Sequence, residues 1–264
     1  SSDRISLGMR VNPGISFVAD ERYDPCRRHS KLGGPIDALS RFESSGLDGL
    51  MFHTNCESDD LRHLLATVNT VERRLSHLIS GLDWINLGGG YMFRQGTDIS
   101  PLRQAVEILR NHTDAKVFIE PGGAFVRDAG YIVSTVLDIF DANGVDIAVL
   151  DTTINHMPEV FEYQFEPEVL DYRPEGEHRY ILAGRSCLAG DIFGDYTFDE
   201  PLKIGDRVTF TEMGAYTQPK AHTFNGINLP DVYAFTNTGN LSLLASMKYE
   251  DFSARNGAHQ LAYS

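Results

Sequence analysis

The sequence has 264 residues, of which 42% are hydrophobic and 23% are charged, a composition typical of globular proteins with one large domain or two ordinary ones. A formal net charge of −14 argues against a nucleic-acid partner, because phosphate contacts require a basic face. The same charge is compatible with a cationic small molecule as ligand, or with an acidic surface that serves solubility alone.

The first half predicts strands that alternate with helices. Short apolar runs predict strands at residues 5–11, 50–52, 82–87 and 116–119. Helical spacing predicts helices at residues 35–42, 59–79 and 100–111, the last with Ser100 as its N-cap. This alternation is typical of a parallel α/β barrel or a doubly wound sheet.

Three successive predicted strands end in groups suited to chemistry. His53 follows the second strand, a run of three glycines starting at Gly88 follows the third, and Glu120 follows the fourth. The carboxyl ends of parallel strands carry the chemistry in such folds. We therefore expect these groups to lie around one site.

The second half changes character near residue 127. Apolar runs at 131–140 and 145–150 flank Asn143-Gly144, a strong hairpin signal. Further short β segments are predicted at 180–182, at 207–210 and around Phe224, followed by a short helix near 242–249. We predict two domains, an α/β domain over residues 1–126 and a β domain over residues 127–264.

Each candidate group in the first domain has two interpretations. The amides of Gly88, Gly89 and Gly90 could approach a phosphate, or the glycines could only form a tight turn. Glu120 could keep the pyridine nitrogen of a pyridoxal phosphate (PLP) cofactor protonated, or pair with a basic residue on a neighbouring strand. His53 could stack on a cofactor ring, act as an acid or base, or hydrogen-bond within the core.

The same ambiguity applies to three other positions. Gly122 and Gly123 could supply further amides for a phosphate. Cys187 lies in a loop of small residues, where it is either a structural thiol or, beside Arg185 and Asp191, a thiol with tunable protonation. Tyr216 could donate its hydroxyl to a phosphate or be an ordinary aromatic residue.

Compartment is predicted from cysteine usage and apolar runs. The three cysteines are widely spaced and predict neither a disulfide framework nor a metal cluster, which favours the cytoplasm. No apolar run approaches the roughly 18 residues of a membrane span, and the first ten residues do not have the pattern of a signal peptide. We therefore expect no contact with a membrane.

Taken in order, these segments resemble the alanine racemase-like, fold III PLP decarboxylases, which include the ornithine, arginine and diaminopimelate decarboxylases. The matching pieces are Ser30-Lys31-Leu32-Gly33, His53, Gly88-Gly89-Gly90, Glu120-Pro121-Gly122, Ser186-Cys187 with Asp191, Gly214-Ala215-Tyr216-Thr217 and Phe224-Asn225-Gly226. Within that family, residues 52–58, 84–90, 156–158, 186–191 and 194–196 are similar to the branch that decarboxylates carboxynorspermidine and carboxyspermidine. The resemblance implies the C-terminal part of a PLP-binding TIM (β/α)8 barrel, followed by a β-sandwich or β-barrel domain.

The resemblance also implies a reaction, decarboxylation of a carboxylated polyamine with PLP as cofactor, in a homodimer. His53 would stack on the cofactor ring and Glu120 would bind its pyridine nitrogen. The phosphate would be bound by the backbone of Gly88, Gly89, Gly90, Gly122 and Gly123 and by the hydroxyl of Tyr216. After carbon dioxide leaves, Cys187 would protonate the substrate carbon in the partner's site, so that Cys187 and His53 are the implied catalytic residues. Asp151 and Asp191 are candidates for binding the substrate's ammonium groups.

Two departures from the ornithine-type pattern bear on the substrate. Gly123 stands where an arginine grips the phosphate in those relatives, so phosphate binding must depend more on amides. Leu188 stands where they have an aspartate, which favours a different pattern of amine recognition.

The family's cofactor lysine has no counterpart here. It lies on the first barrel strand, and none of the five lysines occupies a matching position: Lys31, Lys116, Lys203, Lys220 and Lys248. We expect an N-terminal segment of the same enzyme to supply it, and this chain alone to be neither stable nor active, because an incomplete barrel exposes strand edges.

Two other functions are compatible with the sequence. The substrate could be ornithine, arginine or diaminopimelate. Alternatively, the chain could be an inactive regulatory subunit, although the joint presence of His53, Glu120 and Cys187 argues against it.

Overall fold

The computed structural model describes residues 5–41, 46–236 and 239–258. The chain divides into two compact units, Ser1–Phe125 and Val126–Ser264, each with its own hydrophobic core.

The first unit contains a five-stranded parallel sheet. Its strands are β1 (Gly8–Asn12), β2 (Gly34–Pro35), β3 (Gly49–Phe52), β4 (Trp84–Gly89) and β5 (Lys116–Glu120), in the order β2-β1-β3-β4-β5. Every neighbouring pair is parallel. Because all the strands run the same way, their carboxyl ends meet at one edge of the sheet.

Helices follow strands β2 to β5, and the first three of these helices pack on one face of the sheet. They are α1 (Ile36–Leu39), α2 (Arg62–Ile79), α3 (Ser100–Arg110) and α4 (Gly122–Val126). Leu50 and Phe52 of β3 are fully buried in the same core as Leu64 of α2 and Leu109 of α3. Successive residues of a strand point to opposite faces, so Met51 lies on the other face. The predicted partial (β/α)8 barrel is confirmed.

The predicted helices begin and end differently from the sequence pattern. α2 starts at Arg62, where Asp60 Oδ1 accepts a hydrogen bond from the Arg62 N–H at 2.9 Å. The prediction of Ser100 as an N-cap is wrong, because Ser100 is already helical and its N–H donates to Asp98 Oδ1 at 2.9 Å. The helix predicted over 35–42 is found as Ile36–Leu39, and residue 42 lies outside the described residues.

The second unit contains a five-stranded mixed sheet and a separate hairpin. The strands are β6 (Ile132–Asp141), β7 (Asp146–Leu150), β8 (His178–Ala183), β9 (Ile192–Phe198) and β10 (Arg207–Phe210), in the order β10-β6-β7-β8-β9, and the hairpin is β11 (Val232–Phe235) with β12 (Leu241–Ala245). Only β7 and β8 run parallel among these described strands. The predicted hairpin is confirmed, with Asn143 and Gly144 both at positive φ, as tight β-turns between twisted strands require.

Short helices join these strands. They are α5 (Glu159–Tyr163), α6 (Thr217–Lys220) and α7 (Tyr249–Arg255), with 3-10 turns at Arg127–Ala129, Ile154–His156 and Phe224–Gly226. The helix predicted near 242–249 is wrong, because residues 241–245 pair with β11 and the helix begins only at Tyr249. Phe224, predicted in a β segment, starts a 3-10 turn instead.

Among the described residues, no helix is both long and apolar enough to cross a membrane.

Candidate active site

The strand ends of the first unit bring the predicted groups together. His53 follows β3, the glycines end β4, and Glu120 ends β5. Gly89 is the sheet partner of Glu120, and its N–H donates to His53 Nδ1 at 3.0 Å. An imidazole, a carboxylate and a glycine turn therefore form one cluster.

The contacts of His53 define its protonation state. Because an N–H donor faces Nδ1, that nitrogen is an acceptor and the ring proton lies on Nε2. Burial of the ring lowers the pKa of His53, the positive charge of Arg10 lowers it further, and Glu120 opposes them. At neutral pH the group is a neutral imidazole whose orientation is set by the backbone.

Glu120 is held by Asn86, a residue that the sequence analysis did not single out. Asn86 Nδ2 donates to Glu120 Oε1 at 2.6 Å, and Asn86 Oδ1 accepts from the Gly88 N–H at 2.9 Å. One side chain therefore connects the carboxylate with the glycine turn. The available signal was an asparagine two residues before a glycine, on the same face of β4.

The three glycines are required mainly for close packing of backbones. A Cβ at Gly88 would lie 2.3 Å from the Phe52 carbonyl oxygen, one at Gly89 2.0 Å from that of Glu120, and one at Gly90 2.2 Å from that of Asn55. The N–H groups of Gly88 and Gly89 already donate to Asn86 and His53. These contacts correct the prediction that both amides face a phosphate, because each N–H has one proton to donate.

Gly122 and Gly123 have a more open environment. They begin α4, whose first N–H groups have no acceptor within the helix. A Cβ at Gly122 would meet no described atom within 4 Å, and one at Gly123 would meet only Met92 Sδ, at 3.4 Å, and Met92 Cε, at 3.9 Å. Their amides are therefore available to an anion.

A cavity of about 600 Å³ lies beside this cluster. It is lined by Met51, His53 and Glu120, and by Arg10, Arg22, Tyr23, Asp24, Pro25, Arg27, His29, Ser30, Lys31 and Leu32. Basic groups outnumber acidic ones on this wall, which suits an anionic ligand. A second cavity of about 610 Å³ lies at the other end of the strands, where Trp84 begins β4 and Lys116 begins β5, away from the cluster.

In the second unit, Cys187 lies on an exposed loop. Its Sγ lies 3.3 Å from Nδ2 and 3.5 Å from Oδ1 of Asn225. Asn225 has a φ of 61°, in the left-handed region that asparagine tolerates. The thiol is accessible, and an amide side chain lies beside it.

The buried side chain of Asp191 holds this loop by hydrogen bonds. It is 3% exposed; Oδ1 accepts from the Ile154 N–H and Oδ2 from the Ser186 N–H, both at 2.8 Å. The Gly184 N–H donates to the Asp191 carbonyl at 2.8 Å. Both carboxylate oxygens already have donors, which favours a structural role over the predicted contact with substrate.

Asp151 and Tyr216 also lie in the second unit. Burial tends to raise the pKa of Asp151, but hydrogen bonds from Ser134 Oγ at 2.6 Å and the Thr135 N–H at 2.8 Å outweigh it and lower that pKa. Its carboxylate is therefore ionised at neutral pH. Tyr216 has a φ of 61° and an exposed ring, a strained conformation of the kind found at functional sites.

His156 is a buried histidine, for which the sequence offers no signal beyond the similarity of residues 156–158 to one branch of the family. Nδ1 lies 3.0 Å from Thr152 Oγ1, and Nε2 has no hydrogen-bond partner among the described residues. Burial lowers its pKa to about 4.

Comparison with known proteins supplies the context for both units. Residues 16–214 match the family model described as pyridoxal-dependent decarboxylase, C-terminal sheet domain. The chain is 37% identical to the carboxyaminopropylagmatine decarboxylase of Synechocystis over 96% of this chain and 66% of the relative. It is 34% identical to a carboxynorspermidine/carboxyspermidine decarboxylase of Campylobacter jejuni over 95% of this chain and 69% of the relative.

A solved structure agrees with these relatives. The crystal structure of carboxynorspermidine decarboxylase from Campylobacter jejuni, complexed with norspermidine, matches with a TM-score of 0.85 and 32% identity, covering 95% of this chain and 69% of that one. The chain spans about two thirds of the length of the curated relatives that it matches.

Proposed function

Because this chain belongs to the pyridoxal-dependent decarboxylases, we propose that it acts in a PLP-dependent enzyme that removes the carboxylate from a carboxylated polyamine. The observation that carries the proposal is the cluster of His53, Gly89 and Glu120 at the carboxyl ends of parallel strands. The proposed substrate is carboxynorspermidine or carboxyspermidine, and the product is norspermidine or spermidine.

The residues of the first unit fit PLP. When bound, PLP supplies a protonated pyridine ring that withdraws electrons from the substrate as carbon dioxide leaves. The Glu120 carboxylate has the charge to pair with that nitrogen, and the neutral ring of His53 can lie against the face of the cofactor without adding a second cation. The amides of Gly90, Gly122 and Gly123, together with the hydroxyl of Tyr216, are the proposed phosphate ligands; Gly88 and Gly89 contribute by close packing.

The second unit supplies the proposed proton donor. We propose that the thiol of Cys187 gives its proton to the substrate carbon once carbon dioxide has left, in a homodimer where it serves the partner's site. The exposure of the Cys187 thiol supports this role, and the buried Asp191 carboxylate holds the loop that carries it through a hydrogen bond from the Ser186 N–H. The ionised Asp151 is the better candidate for a substrate ammonium.

The domain division follows from these roles. Residues 1–126 are proposed to bind the cofactor as part of the barrel, and residues 127–264 to form the β domain that supplies Cys187. We also propose a cytoplasmic location, as expected from the widely spaced cysteines of the sequence.

A lysine outside this sequence is proposed to bind the cofactor covalently. Lys31 lines the cavity beside His53 and Glu120, but it lies on the loop between β1 and β2 and not on a barrel strand. Lys116 does lie on a strand, but it begins β5 and is therefore at the end of the sheet away from the cluster. Reduction of the holoenzyme with borohydride, followed by peptide mass mapping, should locate the cofactor on a lysine outside these 264 residues. A cofactor adduct on Lys31 would contradict this assignment.

A second substrate is favoured by one specific observation. The Synechocystis relative, a carboxyaminopropylagmatine decarboxylase, is 37% identical over 96% of this chain. Such a substrate ends in a planar guanidinium group and the carboxyspermidine type in an ammonium group, so the two would need different acidic partners.

The test is a comparison of substrates with the holoenzyme. Carbon dioxide release should be fastest with one of the three carboxylated polyamines and at least about tenfold slower with ornithine, arginine or diaminopimelate, because one lost charged contact costs about that much. His53→Gln should reduce both activity and cofactor affinity, whereas His77→Gln, on the exposed face of α2, should not. Absence of both cofactor absorbance and carbon dioxide release in the wild type would overturn the proposal, as would preference for a simple amino acid.

A further inference from the structure

We infer that Asn86 is a positioning residue for the proposed decarboxylation, one that aims the Glu120 carboxylate at the pyridine nitrogen and ties it to the glycine turn. The inference rests on the proposed function, because it concerns how the cofactor's partner is held.

The two hydrogen bonds of Asn86 use both ends of its amide. Nδ2 donates to Glu120 Oε1 at 2.6 Å, and Oδ1 accepts from the Gly88 N–H at 2.9 Å. Gly88 precedes Gly89, whose N–H donates to His53 Nδ1. The groups proposed to touch the ring face and the ring nitrogen are therefore joined through a single side chain.

The chemistry of an amide suits this position. Asparagine does not titrate, so the donor to Glu120 persists across the working pH range. With the Asn86 donor on Oε1, Oε2 remains to accept from the pyridine N–H. Glu120 is exposed in this chain, so no tight packing fixes its side chain, and the hydrogen bond limits its rotation instead.

Other charged groups also face Glu120 and contribute to any pH dependence. Arg10 on β1 and His53 after β3 share its cavity, as do loop residues Arg22, Asp24, Arg27, His29 and Lys31. These groups are unchanged by a substitution at position 86, so a difference between variants reports on Asn86 itself.

Asn86→Asp separates the two roles of the side chain. The introduced carboxylate keeps an acceptor for the Gly88 N–H but replaces the donor to Glu120 with a second negative charge. Two carboxylates this close share a proton at low pH and repel each other when both are ionised. We expect the dissociation constant of PLP to rise about 10- to 100-fold, the loss expected for a hydrogen bond to a charged group, and to acquire a pH dependence in addition to that of the wild type.

The measurements use the holoenzyme and read cofactor binding directly. The dissociation constant of PLP, by fluorescence, and the cofactor absorption spectrum are recorded across pH, together with kcat and KM. Asn111→Asp is the matched control, because it makes the same change of side chain at the exposed C-cap of α3, which precedes the amino end of β5. It should leave the dissociation constant and its pH dependence unchanged.

Two further variants keep the inference falsifiable. In a Glu120→Ala background, Asn86→Asp should no longer change the pH dependence; a retained change would show that Asn86 acts through something other than Glu120 and would overturn the inference. Asn86→Ala should weaken PLP binding without the new pH dependence, and it provides the affinity test if Asn86→Asp does not fold. Wild-type affinity in both Asn86 variants would overturn the inference while the proposed function stands, whereas a wild type that does not bind PLP would overturn the proposed function.

Discussion

The buried ring of His156 predicts a loss of stability in mild acid that can be assigned to one residue. His156 is 3% exposed, and burial, the largest cause, lowers its pKa from 6.5 to about 4. Arg185 and His222 also lower it, while the nearby backbone of Asn228 and the carboxylate of Asp191 oppose them. Because the folded protein binds this proton more weakly than the unfolded chain does, protonation favours unfolding.

The magnitude follows from the difference between the two pKa values. The gap from 6.5 to about 4 corresponds to about 3 kcal/mol once the pH is below both values. The contribution is fully present above 6.5 and is lost as the pH falls through 6.5 toward 4. Between about pH 7 and about pH 5, the wild type should lose about 2 kcal/mol more than a variant with no titrating group at this position.

Urea unfolding of the PLP-saturated holoenzyme, followed by near-ultraviolet circular dichroism, measures this difference. His156→Gln, neutral at every pH, should have a free energy of unfolding that falls less steeply with acid. His178→Gln, a change at a half-buried histidine of β8, should keep the wild-type acid dependence. Equal acid dependence of wild type and His156→Gln would refute the reasoning, as would a directly measured His156 pKa near 6.5 by nuclear magnetic resonance.

Three other substitutions test the packing on which the site depends. Gly89→Ala should weaken cofactor binding at least about tenfold, because its Cβ would lie 2.0 Å from the Glu120 carbonyl oxygen and force β4 and β5 apart. The control is Gly81→Ala, whose Cβ would meet only the Leu78 oxygen, at 3.9 Å, and which should be tolerated. Equal cofactor affinities of the two variants would contradict this account. Phe52→Ala, at a fully buried position of β3, should lower the free energy of unfolding by about 3–5 kcal/mol in urea titrations, and a loss under about 1 kcal/mol would exclude the core described for the first unit. Asp191→Ala should raise the rate at which Cys187 is alkylated in the folded holoenzyme, because two backbone N–H groups lose their acceptor and the loop becomes more mobile. Mass spectrometry measures this rate. An unchanged rate would mean that other contacts hold the loop.

The sequence predicts those parts of the candidate site whose reactive residues directly follow a predicted strand. His53, the glycine run and Glu120 each follow an apolar strand, and parallel strands place such residues at one edge, so the sequence alone predicts their proximity. Asn86 was not expected, because an asparagine within a strand has no distinctive pattern until its partner across the sheet is known. The same holds for His156, whose burial depends on residues distant in sequence.

The glycines illustrate a partly correct interpretation. Their presence at a strand end indicated close approach of backbone, which the structure contains, but the approaching groups are the carbonyls of Phe52, Glu120 and Asn55. The sequence shows that these three positions have no side chain. Which backbone groups occupy the space depends on the order of the strands in the sheet.

By itself, the sequence determined the alternating strand and helix pattern of the first unit, the hairpin at Asn143-Gly144 and the family, because these depend on local periodicity, turn chemistry and short motifs. Only the tertiary structure decided that residues 241–245 form a strand, that Asp191 is a buried support of the Cys187 loop, and that Asn86 holds Glu120. Each of these depends on a hydrogen-bond partner that lies elsewhere along the chain. Local pattern cannot specify such partners, because the competing conformations differ only in contacts that folding creates.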